Sequence, residues 1–391
     1  MAFDGITIAC LTKELREHLV GGRISKIAQP EKDELLFTIH KEKEQYRLAV
    51  SADASLPLLY FAKENKKSPL TAPNFCMLLR KHIQNARITD VRQPGLERIV
   101  NFELEHLNEM GDLCHKTLAV ELMGKHSNII FYNEENVIID SIKHISGMVS
   151  SVREVLPGRT YFVPQTGEKE DALEDDRTQE QFAQAVSQKP LPVYKSLYMT
   201  FTGFSPIVSQ EICYRAGIDG DLPVQTLTQE QMAKLYKAFS DYVQDVRQGR
   251  FVPNIVYDKQ VPVEFGVLPF QLYRDMEERD YDSVSDVLYQ YYAQKSMVTR
   301  IRQKSSDLRR IVQTALERNV KKYDLQMKQL KDTKKRENYQ LYGELLQAYG
   351  YGMESGLKSV EVDNYHTGEK VTIPLDEQLT PLENAKRYFE K

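Results

Sequence analysis

The residues best able to do chemistry fall in a few short stretches. GLERIV, residues 95–100, sets a carboxylate, Glu97, directly before a guanidinium, Arg98, at the mouth of an apolar run. In a regular strand the two would point to opposite faces. Arg98 then offers a planar fork of donors suited to a phosphate or a base edge; the plainer reading is an exposed pair on a sheet edge. GKHSN, residues 124–128, lies between two apolar runs. Gly124 permits close backbone approach, and Lys125, His126, Ser127 and Asn128 could grip a phosphate or sugar, or simply form a polar hairpin connection. The stretch lacks the glycine spacing of a nucleotide-binding loop. LLRKHI, residues 78–83, places Arg80, Lys81 and His82 in one helical turn. Neighbours there diverge by about 100°, so a solvated helix face competes with a binding role. Arg159, after a Pro-Gly turn, could reach a phosphate or cap a carbonyl. GFSPIV, residues 203–208, could present the N–H groups of a helix start to a phosphate.

Hydrolytic chemistry has little support. The eight histidines are scattered, and neither HExxH nor GxSxG occurs. No nucleotide-binding loop is present. Cys10, Cys76, Cys114 and Cys213 are widely spaced among apolar neighbours, which predicts buried thiols in a reducing compartment and neither zinc nor disulfides. No cofactor is expected. There is no apolar run of about 18 residues and no basic-then-apolar start, so the expectation is a cytoplasmic chain with no membrane partner.

The elements that must position these residues follow from periodicity. The chain has 391 residues, 41% hydrophobic and 28% charged, enough for two or three domains with real cores. Over residues 1–165 helical and strand patterns mix. A helix is predicted over 11–19, with Thr12 as a possible cap and Gly21-Gly22 ending it. A second spans 73–85. Strands are predicted at RISKIAQ, ELLFTIH, QYRLAVSA, ARITDVRQ, RIVNFELE, KTLAVELM, SNIIFYN and VIIDSIKHI. Strands in meander order with helices on one face define an α+β domain. Residues 165–180 carry seven acids and two bases and read as a linker. Residues 178–248 read as helical throughout, with Thr178 and Ser205 as caps. Residues 250–275 read as short strands pairing back with the first domain. A long helix then runs from about 283 to 349, its seam marked by Leu308, Val312, Leu316, Val320, Tyr323, Met327 and Leu330. A hairpin over 357–375 and a helix capped at Thr380 follow. Net charge is −4, yet residues 298–336 hold thirteen Lys and Arg against four Asp and Glu. Such a basic rod suits an RNA backbone. An apolar seam needs a partner helix, so the chain is expected to be part of a longer protein that stops inside an antiparallel coiled coil; the plainer reading is a natural C-terminus with the seam paired in a dimer.

Five stretches in order, MAFDGITIACLTKELREHLVGGRISKI, FCMLLRKHI, GLERIVNFE, ELMGKHSNII and LPGRTYFVPQ, resemble the NFACT family in its bacterial RqcH branch, long called fibronectin-binding proteins of the FbpA type. The resemblance covers the whole chain. It implies a mixed-sheet NFACT-N domain similar to the N-terminal domain of formamidopyrimidine-DNA glycosylases, an all-helical helix-hairpin-helix domain over 178–248, and a coiled-coil arm over 283–391 with a hairpin tip, before a return helix and an NFACT-R domain. It implies a ribosome-associated quality control factor. Such factors bind the large ribosomal subunit and its RNA while a stalled nascent chain remains as peptidyl-tRNA. They recruit alanyl-tRNA for alanine tailing without mRNA, and the ribosome does the peptide transfer. The family's Asp-Arg pair for tRNA matches Glu97-Arg98, one methylene longer at the acid. Lys125, His126, Asn128, Arg80 and Lys81 are expected on the same tRNA-binding face. The glycosylases' N-terminal proline nucleophile has no counterpart, because the chain begins Met-Ala-Phe-Asp. Two rivals are a cell-surface fibronectin-binding adhesin and a nucleic-acid-processing enzyme.

Overall fold

The structure is a computed structural model and describes residues 3–150, 152–164, 169–174 and 176–391, without the side chains of 293–304, 306 and 307. In the first helix, α1 (Gly5–Leu19), Ile8, Leu11, Leu15 and Leu19 recur at helical spacing and are fully buried. Its cap is Asp4, not Thr12. Asp4 Oδ1 accepts the N–H groups of Ile6 (3.1 Å) and Thr7 (2.9 Å), while Thr12 sits mid-helix with a buried hydroxyl that finds no partner among the described residues. Gly21 follows the helix end at φ 89°, the left-handed conformation that glycine supplies most cheaply.

Among the described residues, nine strands form one antiparallel sheet: β1 (Arg23–Glu31), β2 (Glu34–Lys41), β3 (Glu44–Ser51), β4 (Leu58–Phe61), β5 (Arg87–Arg92), β6 (Ile99–Leu107), β7 (Leu113–Glu121), β8 (Asn128–Asn133) and β9 (Ile138–Ser141). The order is β4-β3-β2-β1-β5-β6-β7-β8-β9. Two meanders thus meet at β1 and β5, which share the pair Arg23 and Arg87. The second helix, α2 (Asn74–Ile83), packs with α1 on one face. Leu79, Ile83, Val100, Phe102, Leu104, Leu118, Val120 and Phe131 share that core. The opposite face is also covered: Ala119, Ile130 and Tyr132 bury against Val155 and Tyr161, so the sheet is not helix-packed on one side and bare on the other.

The helical segment holds α3 (Gln179–Val186), α4 (Val193–Thr200), α5 (Pro206–Arg215) and α6 (Gln229–Arg247), with the expected Thr178–Gln181 capping box. The acidic stretch before it does not behave as a free linker where it is described. Glu170 N–H donates to Thr200 C=O (2.8 Å), Thr202 N–H donates back to Glu170 C=O (3.0 Å), and Arg177 pairs with Glu170 and Glu174. Backbone pairing and two internal cations offset the acidity. Strands β10 (Asn254–Asp258), β11 (Val261–Gly266) and β12 (Glu277–Asp280) pair with one another and not with the large sheet. Their side chains Ile255 and Phe265 nevertheless join the same core. The first turns of α7 (Val284–Tyr349) belong to that core too, through Val284, Val287, Leu288, Tyr291 and Tyr292. Glu14 of α1 caps them: its Oε2 accepts Ser285 N–H (3.1 Å) and Ser285 Oγ–H (3.0 Å).

Residues 1–298 form one compact unit and 299–391 a second. In the second, β13 (Ser359–Asp363), β14 (Lys370–Pro374) and α8 (Pro381–Phe389) close a small core of Leu345, Leu346, Val362, Ile373 and Ala385. Thr380 and Glu383 form the capping box that opens α8. The seam residues Leu308, Val312, Leu316, Val320, Tyr323, Met327 and Leu330 are all exposed.

One joint fixes the sheet to the helical segment. Gly5 N–H donates to Gly203 C=O (2.9 Å), and Ser205 Oγ–H donates to Asp4 Oδ2. The backbones approach so closely that a Cβ on Gly203, at φ 81°, would lie 2.5 Å from Leu96 Cβ and from Leu96 O. Gly21 has a similar φ but open space around it. Gly21→Ala should therefore cost about 1–2 kcal/mol, the left-handed penalty alone. Gly203→Ala should cost about 1–3 kcal/mol more, from overpacking. Urea unfolding measures both; equal losses would refute the close-approach argument.

Candidate nucleic-acid interface

Glu97 and Arg98 do not lie in a regular strand. They complete the turn between β5 and β6, with Glu97 N–H donating to Pro94 C=O (2.9 Å). The strand reading fails because Gln93 folds the chain back: its Nε2 donates to Gly5 C=O (2.8 Å) and Glu97 C=O (2.9 Å). Leu96 is buried beneath the pair against Gly5 and Gly203. The turn thus rests on the joint described above, and Gly95, at φ 52°, brings it to within 3.9 Å (as a virtual Cβ) of Asp171 Oδ2.

Both side chains are half-buried, and neither makes a hydrogen bond or ion pair among the described residues. Burial raises the Glu97 carboxyl above its ordinary range, and Lys169 and Arg98 pull it back. Burial and the Arg98 charge lower Lys169, partly offset by Glu97. Lys169 Nζ is held by Tyr198 C=O (2.8 Å). A guanidinium with no such partner among the described residues, beside a carboxylate and a second cation, can receive a phosphate or a base edge without first breaking an ion pair there. Lys169 escaped the sequence reading because it stands in an acidic run. A cation isolated among acids was the available signal.

The GKHSN stretch lies at the same end of the sheet. Leu122 N–H donates to Arg98 C=O (2.8 Å), and Gly124–His126 form a single 3-10 turn made possible by Gly124 at φ 60°. Lys125 and His126 are exposed, and neither side chain makes a hydrogen bond or ion pair among the described residues. Asn128 is different. It is 3% exposed, its Oδ1 accepts Ile129 N–H (2.9 Å) and Lys143 N–H (3.1 Å), and its Nδ2 donates to Lys143 C=O (2.9 Å). Every polar atom is spent on the fold, so Asn128 shapes the turn and is corrected from ligand to scaffold. Ser127 Oγ is buried with no partner among the described residues. Beneath the turn, the fully buried Glu121 pairs with Arg153 and accepts Tyr161 O–H (3.2 Å). Burial raises the Glu121 carboxyl, and Arg153 opposes the shift. Sequence reading passed over Arg153 and chose Arg159, which instead pairs with Glu154 (2.8 Å).

Arg80 and Lys81 are not brought to this end. Arg80 Nε donates to Ile27 C=O on β1 (2.9 Å), and Lys81 pairs with Glu109 (3.5 Å) at the tip between β6 and β7. The tip lies a full strand length from the Gly124 turn, roughly 27 Å for nine residues. The α5 start is closed to a ligand: Ser205 Oγ accepts Val208 N–H (3.4 Å) and buried Asp4 abuts it.

A large antiparallel sheet, with cations at one end that are unpaired among the described residues, joined to a helical segment, defines an α+β scaffold. The family of NFACT N-terminal and middle domains matches residues 4–391, and the chain belongs to that family. It is 36% identical to the Rqc2 homolog RqcH of Bacillus subtilis and 33% identical to that of Streptococcus suis, over the whole of this chain and 66% of each relative. The archaeal Rqc2 homolog of Methanocaldococcus jannaschii is 28% identical over 88% of this chain and 51% of its own length. The crystal structure of the fibrinogen binding protein from Staphylococcus aureus superposes with a TM-score of 0.64 at 26% identity, covering 75% of this chain and 99% of that one. Among the described residues no helix is long and apolar enough to cross a membrane.

The half-buried Glu97 gives a pH test. A carboxyl raised by the fold binds its proton more tightly when folded, so it favours folding most below its unfolded pKa. That contribution is lost as pH rises through the folded value. Glu97→Gln should therefore melt at or above the wild-type temperature near neutrality and lose that advantage toward about pH 4. A variant less stable than wild type at neutral pH would show that the charge is stabilised.

Proposed function

We propose that this chain is the tRNA- and large-subunit-binding part of a ribosome-associated quality control factor that supports alanine tailing. Family membership and relatives named Rqc2 homolog RqcH support this reading. The observation that carries it is the Arg98 guanidinium, without a hydrogen-bonding or ion-pair partner among the described residues, on a turn anchored by the Asp4–Ser205 joint. Arg98, with Glu97 beside it, contacts tRNA; Lys125 and His126 extend the contact along the same end of the sheet. Alanyl-tRNA is the recruited partner and the peptide acceptor, and peptidyl-tRNA on the large subunit is the peptide donor. The protein contributes no nucleophile. It holds tRNA in place, so that part of the entropic barrier is met before the ribosome transfers the peptide. Residues 178–248 act as the helix-hairpin-helix domain. The basic α7, paired along its exposed seam with a return helix, is the coiled-coil arm that reaches ribosomal RNA. Fibronectin or fibrinogen binding remains attached to names of structural relatives, and no feature of the interface favours it.

Binding of the chain to alanine tRNA and to a non-cognate tRNA, at low and moderate salt, tests the reading. Arg98→Ala should weaken alanine tRNA about ten- to a hundredfold, the worth of one forked contact, and lower the salt slope by about one. Equal, salt-sensitive binding of both tRNAs by wild type and variant would move specificity away from this turn.

A further inference from the structure

A different cluster lies at the far end of β6 and β7. Alternation puts Phe102 and Leu104 of β6, and Leu118 and Val120 of β7, into the core beneath α2. The next positions on that face are not apolar: they are His106 and Lys116. Lys116 Nζ lies 2.5 Å from His106 Nε2, and His106 Nδ1 lies 3.1 Å from Leu107 C=O. The two contacts fit one neutral tautomer, with Nδ1–H donating to the carbonyl and Nε2 accepting from the ammonium. His82 of α2 faces the same end of the sheet: its ring lies 6.0 Å from Phe131, the cross-strand partner of Leu118, the charges of Lys116 and His106 act on it, and neither of its nitrogens makes a hydrogen bond among the described residues.

We propose that His82, His106 and Lys116 form a phosphate site, distinct from the Arg98 turn, that takes a backbone phosphate of the bound RNA. All three are half-buried, and among the described residues none forms an ion pair with a carboxylate. Lys81 stands beside His82 but is engaged by Glu109. Glu134, the other acid acting on the cluster, accepts His115 N–H (2.9 Å); Cys114 completes the lining. Burial lowers the proton affinity of all three groups. Lys116, Lys81 and His106 lower His82 further, against Glu109. Lys116 and His115 do the same to His106, against its bond to Leu107. Cys114 and Glu134 partly restore Lys116. The protonated forms of the two imidazoles are repelled by the Lys116 ammonium, and Glu109 and Glu134, the acids within reach, are engaged elsewhere, so an incoming anion relieves the cluster. Phosphate oxygens accept from the spare protons of Lys116 and from His82, and the two imidazoles then take up protons from solvent. Along β6, His106 stands roughly 24 Å from Ile99, next to Arg98, so one phosphate cannot serve both sites.

That the phosphate belongs to RNA rests on the function proposed above; the site itself does not, and the experiment separates the two. Histidine-labelled protein is titrated by NMR in chloride, in inorganic phosphate at equal ionic strength, and with a short RNA stem-loop. Phosphate should raise the His82 and His106 midpoints by about one pH unit, a tenfold gain in proton affinity. Lys116→Met should abolish the rise while the spectrum stays folded, and His82→Gln should weaken it. Midpoints that phosphate leaves unmoved, or a rise that survives Lys116→Met, overturn the site. A rise with phosphate but none with an RNA that does bind overturns the RNA source alone. If the RNA does not bind at all, the RNA source fails together with the proposed function, while the phosphate arm still decides the site.

Discussion

The fold turns on one buried carboxylate. Asp4 satisfies the first N–H groups of α1 with one oxygen and receives the Ser205 hydroxyl with the other, and Ser205 in turn caps α5. The two bonded residues therefore start two helices at the same place and join two parts of the chain about two hundred residues apart in sequence. Burial raises the Asp4 carboxyl above its ordinary range, and the hydrogen bonds from Ser205, Thr7 and Ile6 pull it down. A buried acid persists when its neighbours are donors. Gly5 and Gly203 permit the approach, and Leu96 is clamped between them.

The clamp has a chemical consequence one residue on. Because Leu96 is buried against Gly5 and Gly203, Glu97 and Arg98 are presented from a turn anchored in the core. The acidic segment that packs beside it supplies Lys169, so a half-buried acid and two cations share one small volume. Their mutual charges keep the set near balance, and the Arg98 fork is still without a hydrogen-bonding partner among the described residues. Half-buried donors of this kind can take an anion without first giving up a bond within the fold.

The same logic separates residues that look alike in sequence. Lys125 and His126 project from a 3-10 turn with no side-chain partner among the described residues, whereas Asn128, two residues on, is consumed by the backbone around Lys143. Arg80 and Lys81 diverge as helical geometry requires, one to the β1 backbone and the other to the β6–β7 tip. His82, the third member of that turn, meets His106 and Lys116 only because antiparallel pairing folds the end of β6 onto the start of β7.

Local chemistry by itself determined much of this protein. Apolar periodicity set α1, α2 and eight strands of the large sheet, and cap signatures set the starts of α3, α5 and α8. The charge run and seam of α7, and the family resemblance, were likewise visible, because each depends on neighbours within a few turns or strands. β4 was missed, being four residues long and defined by its pairing with β3. Thr12 was read as a possible cap and Asp4 was passed over, although the apolar stripe of α1 extends back to Ile6 beside it. The turn at Glu97, the docking of the acidic segment and the division of the basic residues between two ends of the sheet were settled by tertiary structure alone. Each depends on which backbone groups arrive from distant segments to be satisfied, and a sequence does not state that pairing.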